Sequence, residues 1–96
     1  MEIEFADQRL AVVRTDRAHE LGLPAAVIDS CQDKLDFIEA ALDERDLRNW
    51  KSLEFKKLGG SELRQIRLNG QFRMHFLLDN KRNPPLVTVT FIGDPH

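Results

Sequence analysis

The chain has few of the residues that would place it in a specialised class of proteins. It contains one cysteine, Cys31, and no tyrosine among its 96 residues. A single cysteine forms no intrachain disulfide, which fits a reducing cytoplasm. No apolar run approaches the roughly 20 residues that span a bilayer, and the acidic start lacks the basic region and apolar run of a signal peptide. These absences predict a soluble, cytoplasmic protein.

Recognised sets of catalytic or metal-binding residues are also missing. The three histidines, His19, His75 and His96, have no metal-type spacing with one another or with Cys31, which argues against a zinc site and leaves no expected cofactor. No Ser/His/Asp set, glycine-rich phosphate loop or pair of catalytic carboxylates stands out. The residues alone therefore predict only a small α+β domain with one polar, cationic sheet face.

Charge is divided unevenly along the chain, although the net charge is only −2. Residues 1–50 carry six Lys/Arg and twelve Asp/Glu, whereas residues 51–96 carry eight and four. One interpretation is that acidic helices accompany basic strands without further meaning; the other is a basic surface for an anionic partner such as RNA. The overall acidity argues against tight, indiscriminate nucleic-acid binding, because that depends on many contacts from Lys and Arg to phosphate.

The first half has the pattern of helices, within a single domain that spans residues 1–96. Residues 2–5 suit a short strand, residues 8–20 are a possible helix, and Pro24 fits the first turn of the clearest helix. That helix has an apolar stripe at helical spacing, which predicts that it packs on a sheet. The stripe consists of Val27, Ile28, Cys31, Leu35, Ile38 and Leu42. Residues 43–50 resemble its frayed end followed by a turn.

Strand patterns begin at residue 52. Residues 52–58, 62–68 and 71–78 alternate apolar and polar side chains, and residues 86–92 are nearly all apolar, as in a central strand covered on both faces. Two prolines mark a polar loop before this last strand. The sequence thus predicts an α+β fold with N-terminal helices packed on a twisted antiparallel sheet of three or four strands, with residues 2–5 as a candidate edge strand.

The hairpin around Asn69-Gly70 decides which side chains share a face. A two-residue turn would mix apolar and charged residues on both faces, which a half-buried sheet resists. A three-residue loop at residues 69–71 separates them, with the pairs Leu68–Phe72, Arg67–Arg73, Ile66–Met74 and Gln65–His75. Opposite arginines repel each other by up to about 1 kcal/mol. We expect a negative charge to offset this repulsion, supplied by the neighbouring Glu54, by a partner, or by a bound anion such as phosphate.

Two segments resemble a known family of bacterial proteins. The run LEFKKLGGSELRQIRLNGQFRMHF and the terminal LVTVTFIGDPH resemble the HigB branch of the RelE-like toxins, the killer proteins of plasmid-maintenance systems. The most specific match is IRLNGQFRMHF, against a family pattern of S-I-R-L-N, a turn and Q-W/F-R-I-x-F. The resemblance covers residues 24–96 and implies a twisted antiparallel sheet packed on two helices.

The resemblance implies a toxin of a type II toxin–antitoxin system. Such a toxin cleaves messenger RNA on the ribosome without a metal ion and thereby inhibits translation. The implied partners are the ribosome, messenger RNA and a cognate helix-turn-helix antitoxin (HigA-like). In this chemistry the ribose 2′-hydroxyl attacks the adjacent phosphate and the 5′-oxygen leaves, which requires a base, cations and an acid.

The resemblance also implies roles for particular residues. Arg73 matches the arginine expected to hold the scissile phosphate, and Arg67 matches a basic position before the turn. Lys56 lies where relatives carry a histidine or another polar residue. Asp94 and His96 match the terminal D-x-H of the family, and an imidazole there is suited to carry a proton near neutral pH.

Three further residues are expected to bind RNA beside this catalytic group: Gln65, His75 and Lys57.

Two departures from the family pattern point to an alternative function. Pro95 replaces the usual aromatic residue of the terminal motif, and the chain lacks the family's strongly basic character. The alternative is a catalytically weak or inactive member that acts as a partner-binding or regulatory module. A general RNA-binding domain is a third possibility.

Overall fold

Five β-strands and three α-helices make up the fold of the computed structural model, which describes residues 1–96. The strands are β1 (Glu2–Phe5), β2 (Lys56–Lys57), β3 (Leu63–Asn69), β4 (Phe72–Asp79) and β5 (Leu86–Gly93). The helices are α1 (Gln8–Ala11), α2 (Ala25–Ala40) and α3 (Glu44–Asn49), with 3₁₀ turns at Val12–Arg14, Ala18–Leu21 and Lys51–Leu53. None of these helices has the length and apolar character that a membrane crossing requires. The α+β class predicted from the sequence is confirmed.

The strands form one sheet in the order β1-β5-β4-β3-β2. Strands β2 to β5 pair antiparallel, as expected, but β1 lies parallel to β5. The expected antiparallel sheet of three or four strands is therefore a mixed sheet of five. Ile3 and Phe5 alternate with acidic residues and so identify a strand, but this alternation is the same for either strand direction and does not reveal the parallel pairing.

Helix α2 buries most of the apolar stripe that its sequence predicts. Val27, Cys31, Leu35 and Ile38 are buried, and the helix packs on β3. Burial raises the pKa of the Cys31 thiol to about 12, so this cysteine is an unreactive part of the core. The last expected member of the stripe, Leu42, lies beyond the end of the helix and is 80% exposed.

The end of α2 is fixed by polar groups that an apolar pattern does not show. The α-amino group of Met1 donates a hydrogen bond to the carbonyl oxygen of Glu39 at 2.8 Å, in the last turn of the helix. Asp43 then accepts a hydrogen bond from the backbone N–H of Arg45 at 2.9 Å and caps α3. Residues 43–50 are therefore largely a separate helix rather than the frayed end of α2.

Two segments that were expected to be regular are broken by turns. Residues 8–20 form α1 and two 3₁₀ turns, because Thr15 is extended and its hydroxyl donates back to the preceding turn. Residues 52–58 supply only the two-residue β2, because Glu54 adopts a left-handed conformation (φ 48°) shortly before it. Leu53 is nevertheless fully buried, so the apolar alternation there reflects core contacts rather than a long strand.

The central strands have one covered face and one open face. On the covered face, side chains of β3 and β4 enter the hydrophobic core: Ile66, Leu68, Met74, Phe76 and Leu78. The alternate side chains lie on the open face: Gln65, Arg67, Arg73 and His75 are half-buried towards the hairpin end, and the pair Leu63–Leu77 lies at the other end. Strand β5 was expected to be covered on both faces, but its Leu86 and Thr88 are only half-buried. The candidate site therefore lies on a sheet surface with solvent access.

Candidate functional site

The β3–β4 hairpin brings the two candidate arginines to opposite positions. Arg67 pairs with Arg73, and Gln65 pairs with His75, which confirms the predicted register of the polar face. Opposite residues of an antiparallel pair have side chains on the same side of the sheet. All four side chains therefore lie together on the open face.

The loop of this hairpin differs from the prediction. Asn69, rather than Leu68, pairs with Phe72, and the register shifts between Arg67 and Asn69. A β-bulge at Leu68 accommodates the extra residue, and Gly70 supplies a left-handed conformation (φ 53°) in the turn. The predicted three-residue loop is therefore wrong. The extra residue lies in a bulge of β3 instead of in the loop, and this bulge also keeps apolar and polar side chains on separate faces.

Two rows of residues cross the open face from strand to strand. The first, called here the histidine row, runs over β2, β3, β4 and β5 and consists of Lys56, Gln65, His75 and Phe91. The second, the arginine row, lies two residues closer to the hairpin turn on β3 and β4 and continues on β5; it consists of Arg67, Arg73 and Gly93. Neighbouring strands lie about 4.8 Å apart, so the histidine row spans about 14 Å.

Arg67 has an acidic partner in an exposed position. Its Nε lies 3.3 Å from Oε2 of Glu54, and the two side chains are 42% and 59% exposed. Glu54 belongs to the turn before β2 rather than to an adjoining strand. Solvent screens such a pair, and the guanidinium makes no other ion pair. Its two terminal nitrogens are therefore available to an anion.

Arg73 is tied to the turn of its own hairpin. Its Nη1 donates to the carbonyl oxygens of Gly70, at 2.7 Å, and Phe72, at 2.9 Å. The two arginines thus have separate internal acceptors, and Glu54 supplies a negative charge that offsets the repulsion between them. Nη2 and Nε of Arg73 remain as donors for a ligand.

Asp94 and His96 form a hydrogen-bonded pair beside the arginine row. The backbone N and Nδ1 of His96 lie 3.0 and 2.8 Å from Oδ1 of Asp94. These hydrogen bonds, and to a lesser extent the positive charges of His96 and Arg73, hold the pKa of Asp94 below its usual range. An ionised Asp94 accepts a hydrogen bond from Nδ1–H of a neutral imidazole, which leaves the ring's lone pair on Nε2. The His96 side chain is 71% exposed, which gives a ligand access to it.

His75 lies in the middle of the histidine row. Its Nε2 is 3.0 Å from Oε1 of Gln65, so in the neutral form Nε2–H donates to the amide oxygen. Partial burial lowers the pKa of His75, which favours the neutral imidazole at pH 7. Nδ1 then carries the lone pair, and this nitrogen is a candidate base.

The two lysines of β2 lie on opposite sides of the sheet. Lys56 pairs with Gln65 and belongs to the open face, whereas Lys57 pairs with the buried Arg64. Side chains alternate along a strand, so Lys57 projects to the covered side. The structure therefore brings Lys56 to the site expected for it but separates Lys57 from Gln65 and His75.

Two prominent residues were missed by the sequence analysis. Arg64 is buried on the covered face, where its Nε lies 2.7 Å from Oε1 of Glu44 and links β3 to α3. Phe91 lies in the histidine row, with its ring centroid 5.0 Å from that of His75. Neither had a local signal, because Arg64 depends on a partner 20 residues away and Phe91 depends on a bulge in β5.

No family model matches the chain, and no curated protein matches it significantly. The likeness to HigB-type toxins therefore depends on the motifs quoted above. The structure adds the grouping of two arginines, a lysine and the imidazole of His75 on one open sheet face.

Proposed function

We propose that the open face is the active site of a ribosome-dependent messenger RNA endoribonuclease, the toxin of a type II toxin–antitoxin pair. One observation carries the proposal: Arg67, Arg73 and His75 lie together on the open face, and the hydrogen-bonded Asp94–His96 pair follows Gly93, the β5 partner of Arg73. Cleavage of an RNA phosphodiester by its own 2′-hydroxyl needs cations for the phosphate and groups that transfer protons. The resemblance to HigB-type toxins points to the same activity.

Phosphate binding is assigned to the cations of the open face. The unused donors of Arg67 and Arg73 hold the two non-bridging oxygens of the scissile phosphate. They also stabilise the additional negative charge of the pentacoordinate phosphorane. Lys56, at the β2 end of the histidine row, contributes a third positive charge on the same face.

Proton transfer is assigned to the two imidazoles. Neutral His75, held by Gln65, takes the proton of the attacking 2′-hydroxyl. Protonated His96, oriented by Asp94, gives a proton from Nε2 to the departing 5′-oxygen. The bond from phosphorus to the 2′-oxygen forms as the bond to the 5′-oxygen breaks, which leaves a 2′,3′-cyclic phosphate and a free 5′-hydroxyl.

The proposed partners of this activity are the ribosome, messenger RNA and an antitoxin. The ribosome presents messenger RNA to the toxin in the cytoplasm, and a cognate helix-turn-helix antitoxin neutralises it. The uneven charge supports a limited RNA contact, because the acidic residues concentrate in residues 1–50 and the site lies within residues 54–96. A toxin positioned by the ribosome does not need the many phosphate contacts of a protein that binds naked RNA tightly.

A catalytically weak or inactive module that binds a partner is the second candidate. The observation that favours it is the internal pairing of both arginines, Arg67 with Glu54 and Arg73 with the hairpin turn. A ligand must compete with these contacts. Pro95, where the family carries an aromatic residue, favours the same alternative.

Induced expression in a bacterial host separates the two candidates. We expect the wild-type protein to arrest growth and to create new 5′ ends in ribosome-associated messenger RNA, mapped by primer extension. Arg73→Ala should relieve the arrest and remove the new ends, because it removes phosphate binding. Arg82→Ala is the matched control, since Arg82 is a half-exposed arginine on the β4–β5 loop whose nearest acid is Glu2 at 3.4 Å.

The outcomes of this experiment are distinct. Normal growth with abundant soluble wild-type protein would contradict the toxin. Growth arrest without new 5′ ends would favour the partner-binding module instead. Equal relief by Arg73→Ala and Arg82→Ala would show that general loss of charge, rather than the open face, causes the effect.

A further inference from the structure

Phe91 is the one aromatic side chain that does not belong to the hydrophobic core. The chain has six phenylalanines, one tryptophan and no tyrosine. Phe76 is fully buried in the core, and five other aromatic residues pack against it or its neighbours: Phe5, Phe37, Trp50, Phe55 and Phe72. Phe91 is half-buried on the open face beside His75. Core packing therefore does not explain an apolar ring at the polar, cationic end of this face.

A β-bulge in β5 places Phe91 on the open face. His75 pairs with Phe91, but the next residue, Phe76, pairs with Val89, so Thr90 is the extra residue of the bulge. Simple alternation would put Phe91 on the same side as Val89, in the core. The bulge turns the ring out of the core and towards the candidate site.

Two neighbours hold the ring. Its centroid lies 5.0 Å from that of His75, with the ring planes inclined by 42°. The ring also lies against Gly93, where an added Cβ would be only 3.1 Å from Cζ of Phe91. Gly93 pairs with Arg73, so the ring extends from the histidine row towards the arginine row. A glycine at this position leaves room for the ring between the two rows.

From this arrangement we propose that Phe91 is the platform on which one base of a bound single-stranded RNA stacks. The inference rests on the proposed function and deepens it, because it names the part of the substrate that this surface contacts. Proteins that bind single strands combine cations for the backbone with aromatic side chains for the bases. Phe91 and Arg73 are diagonal neighbours across β4 and β5, so one nucleotide has its phosphate at the arginine row and its base on the ring. Stacking accepts every base, so Phe91 contributes affinity and position rather than sequence preference.

Substitutions at Phe91 distinguish stacking from simple apolar contact. Phe91→Leu keeps an apolar side chain without a π face, and Phe91→Trp keeps the π face. Leu77→Ala is the matched control, since Leu77 is an exposed apolar residue of β4. The probe is an RNA with a 2′-O-methyl group at every ribose, which prevents cleavage, and with 2-aminopurine at one position in turn. It is presented free at low salt and as messenger RNA on programmed ribosomes.

Stacking predicts a specific pattern of binding and fluorescence. The wild type, Phe91→Trp and Leu77→Ala should quench 2-aminopurine at one position and bind alike. Phe91→Leu should lose the quenching and bind about tenfold more weakly. All variants should melt close to the wild-type temperature, because neither substituted residue belongs to the core cluster.

Two results would overturn the inference, and they differ in scope. Binding and quenching by Phe91→Leu equal to the wild type would overturn the stacking role alone and leave the proposed function in place. Failure of the wild type to bind the probe, both free and on ribosomes, would overturn the proposed function together with the inference. Primer extension with cleavable messenger RNA then shows whether any ribonuclease activity remains to be explained.

Discussion

The covered and open faces of β4 hold adjacent residues in different ways. Phe76 is fully buried in the core, whereas its neighbour His75 is half-buried and contacts Gln65 and Phe91. The hydrophobic effect stabilises the position of Phe76, whereas a hydrogen bond to Gln65 and a ring contact with Phe91 stabilise that of His75. Successive side chains of β4 point to opposite faces, so a substitution at Phe76 affects stability, whereas a substitution one position earlier affects the candidate site.

The largest expected effect comes from the covered face. Phe76→Ala should lower the free energy of unfolding by about 3–5 kcal/mol, because it removes a fully buried ring and leaves a cavity. His75→Ala should cost less than about 1 kcal/mol and should instead reduce RNA cleavage. Urea denaturation of both variants checks the difference. Similar losses of stability at the two positions would contradict the separation of the faces.

The ion pairs of the two faces should also differ in strength. Arg64→Met removes the partner of Glu44 on the covered face and should cost up to about 3 kcal/mol, the low end for a buried pair, because Glu44 keeps contact with water and with Arg48. Arg67→Met on the open face should cost less than about 1 kcal/mol, because solvent screens its contact with Glu54.

Double-mutant cycles measure the two pair energies directly. The cycles combine Arg64→Met with Glu44→Gln and Arg67→Met with Glu54→Gln, each followed by urea denaturation. A coupling energy for the exposed pair as large as that for the buried pair would refute the predicted ranking.

Releasing Arg67 should strengthen the open face as an anion site. Glu54→Gln removes the carboxylate that competes with phosphate, so RNA binding should tighten by about fivefold, the equivalent of a surface pair worth up to about 1 kcal/mol. Fluorescence anisotropy with the uncleavable RNA measures the change. Asp79→Asn is the control, because Asp79 is an exposed acid at the other end of β4. An equal gain from both variants would indicate a general effect of net charge.

The features that follow from alternation alone were predictable from the sequence. The apolar spacing of Cys31 and Leu35 identifies the buried face of α2, and the alternation around Arg67 and Arg73 identifies the polar face of the hairpin. Both predictions are confirmed, because turning either element by one face would bury its charged side chains at a large cost in folding free energy.

Features that depend on irregular backbone or on distant partners were not predictable. One extra residue, Thr90, reverses the alternation of β5 and turns Phe91 outward, yet a threonine in a β-branched run gives no sign of a bulge. Likewise, the contact of Arg64 with Glu44 requires the relative placement of β3 and α3. The internal acceptors of Arg73 are backbone carbonyl oxygens, whose availability depends on the turn that forms.

The smallest expected effect concerns the pH dependence of the open face. Partial burial lowers the pKa of His75 from its ordinary value near 6.5, so folding favours the neutral imidazole. The resulting stability is complete above about pH 6.5 and is lost as the pH falls through the folded-state pKa. The pKa of Asp94 is also lowered, from about 3.8, so the contribution of Asp94 to stability is likewise lost on acidification, but at a lower pH.

Urea midpoints of the wild type and of His75→Gln between pH 7.5 and pH 5 isolate this contribution. His19 and His96 are present in both proteins, so the difference between the two profiles belongs to His75. We expect the wild type to lose more stability on acidification, by less than about 1 kcal/mol, because His75 retains contact with solvent. Parallel profiles would mean that the imidazole is as well solvated when charged as in the unfolded chain, which would contradict the lowered pKa of His75.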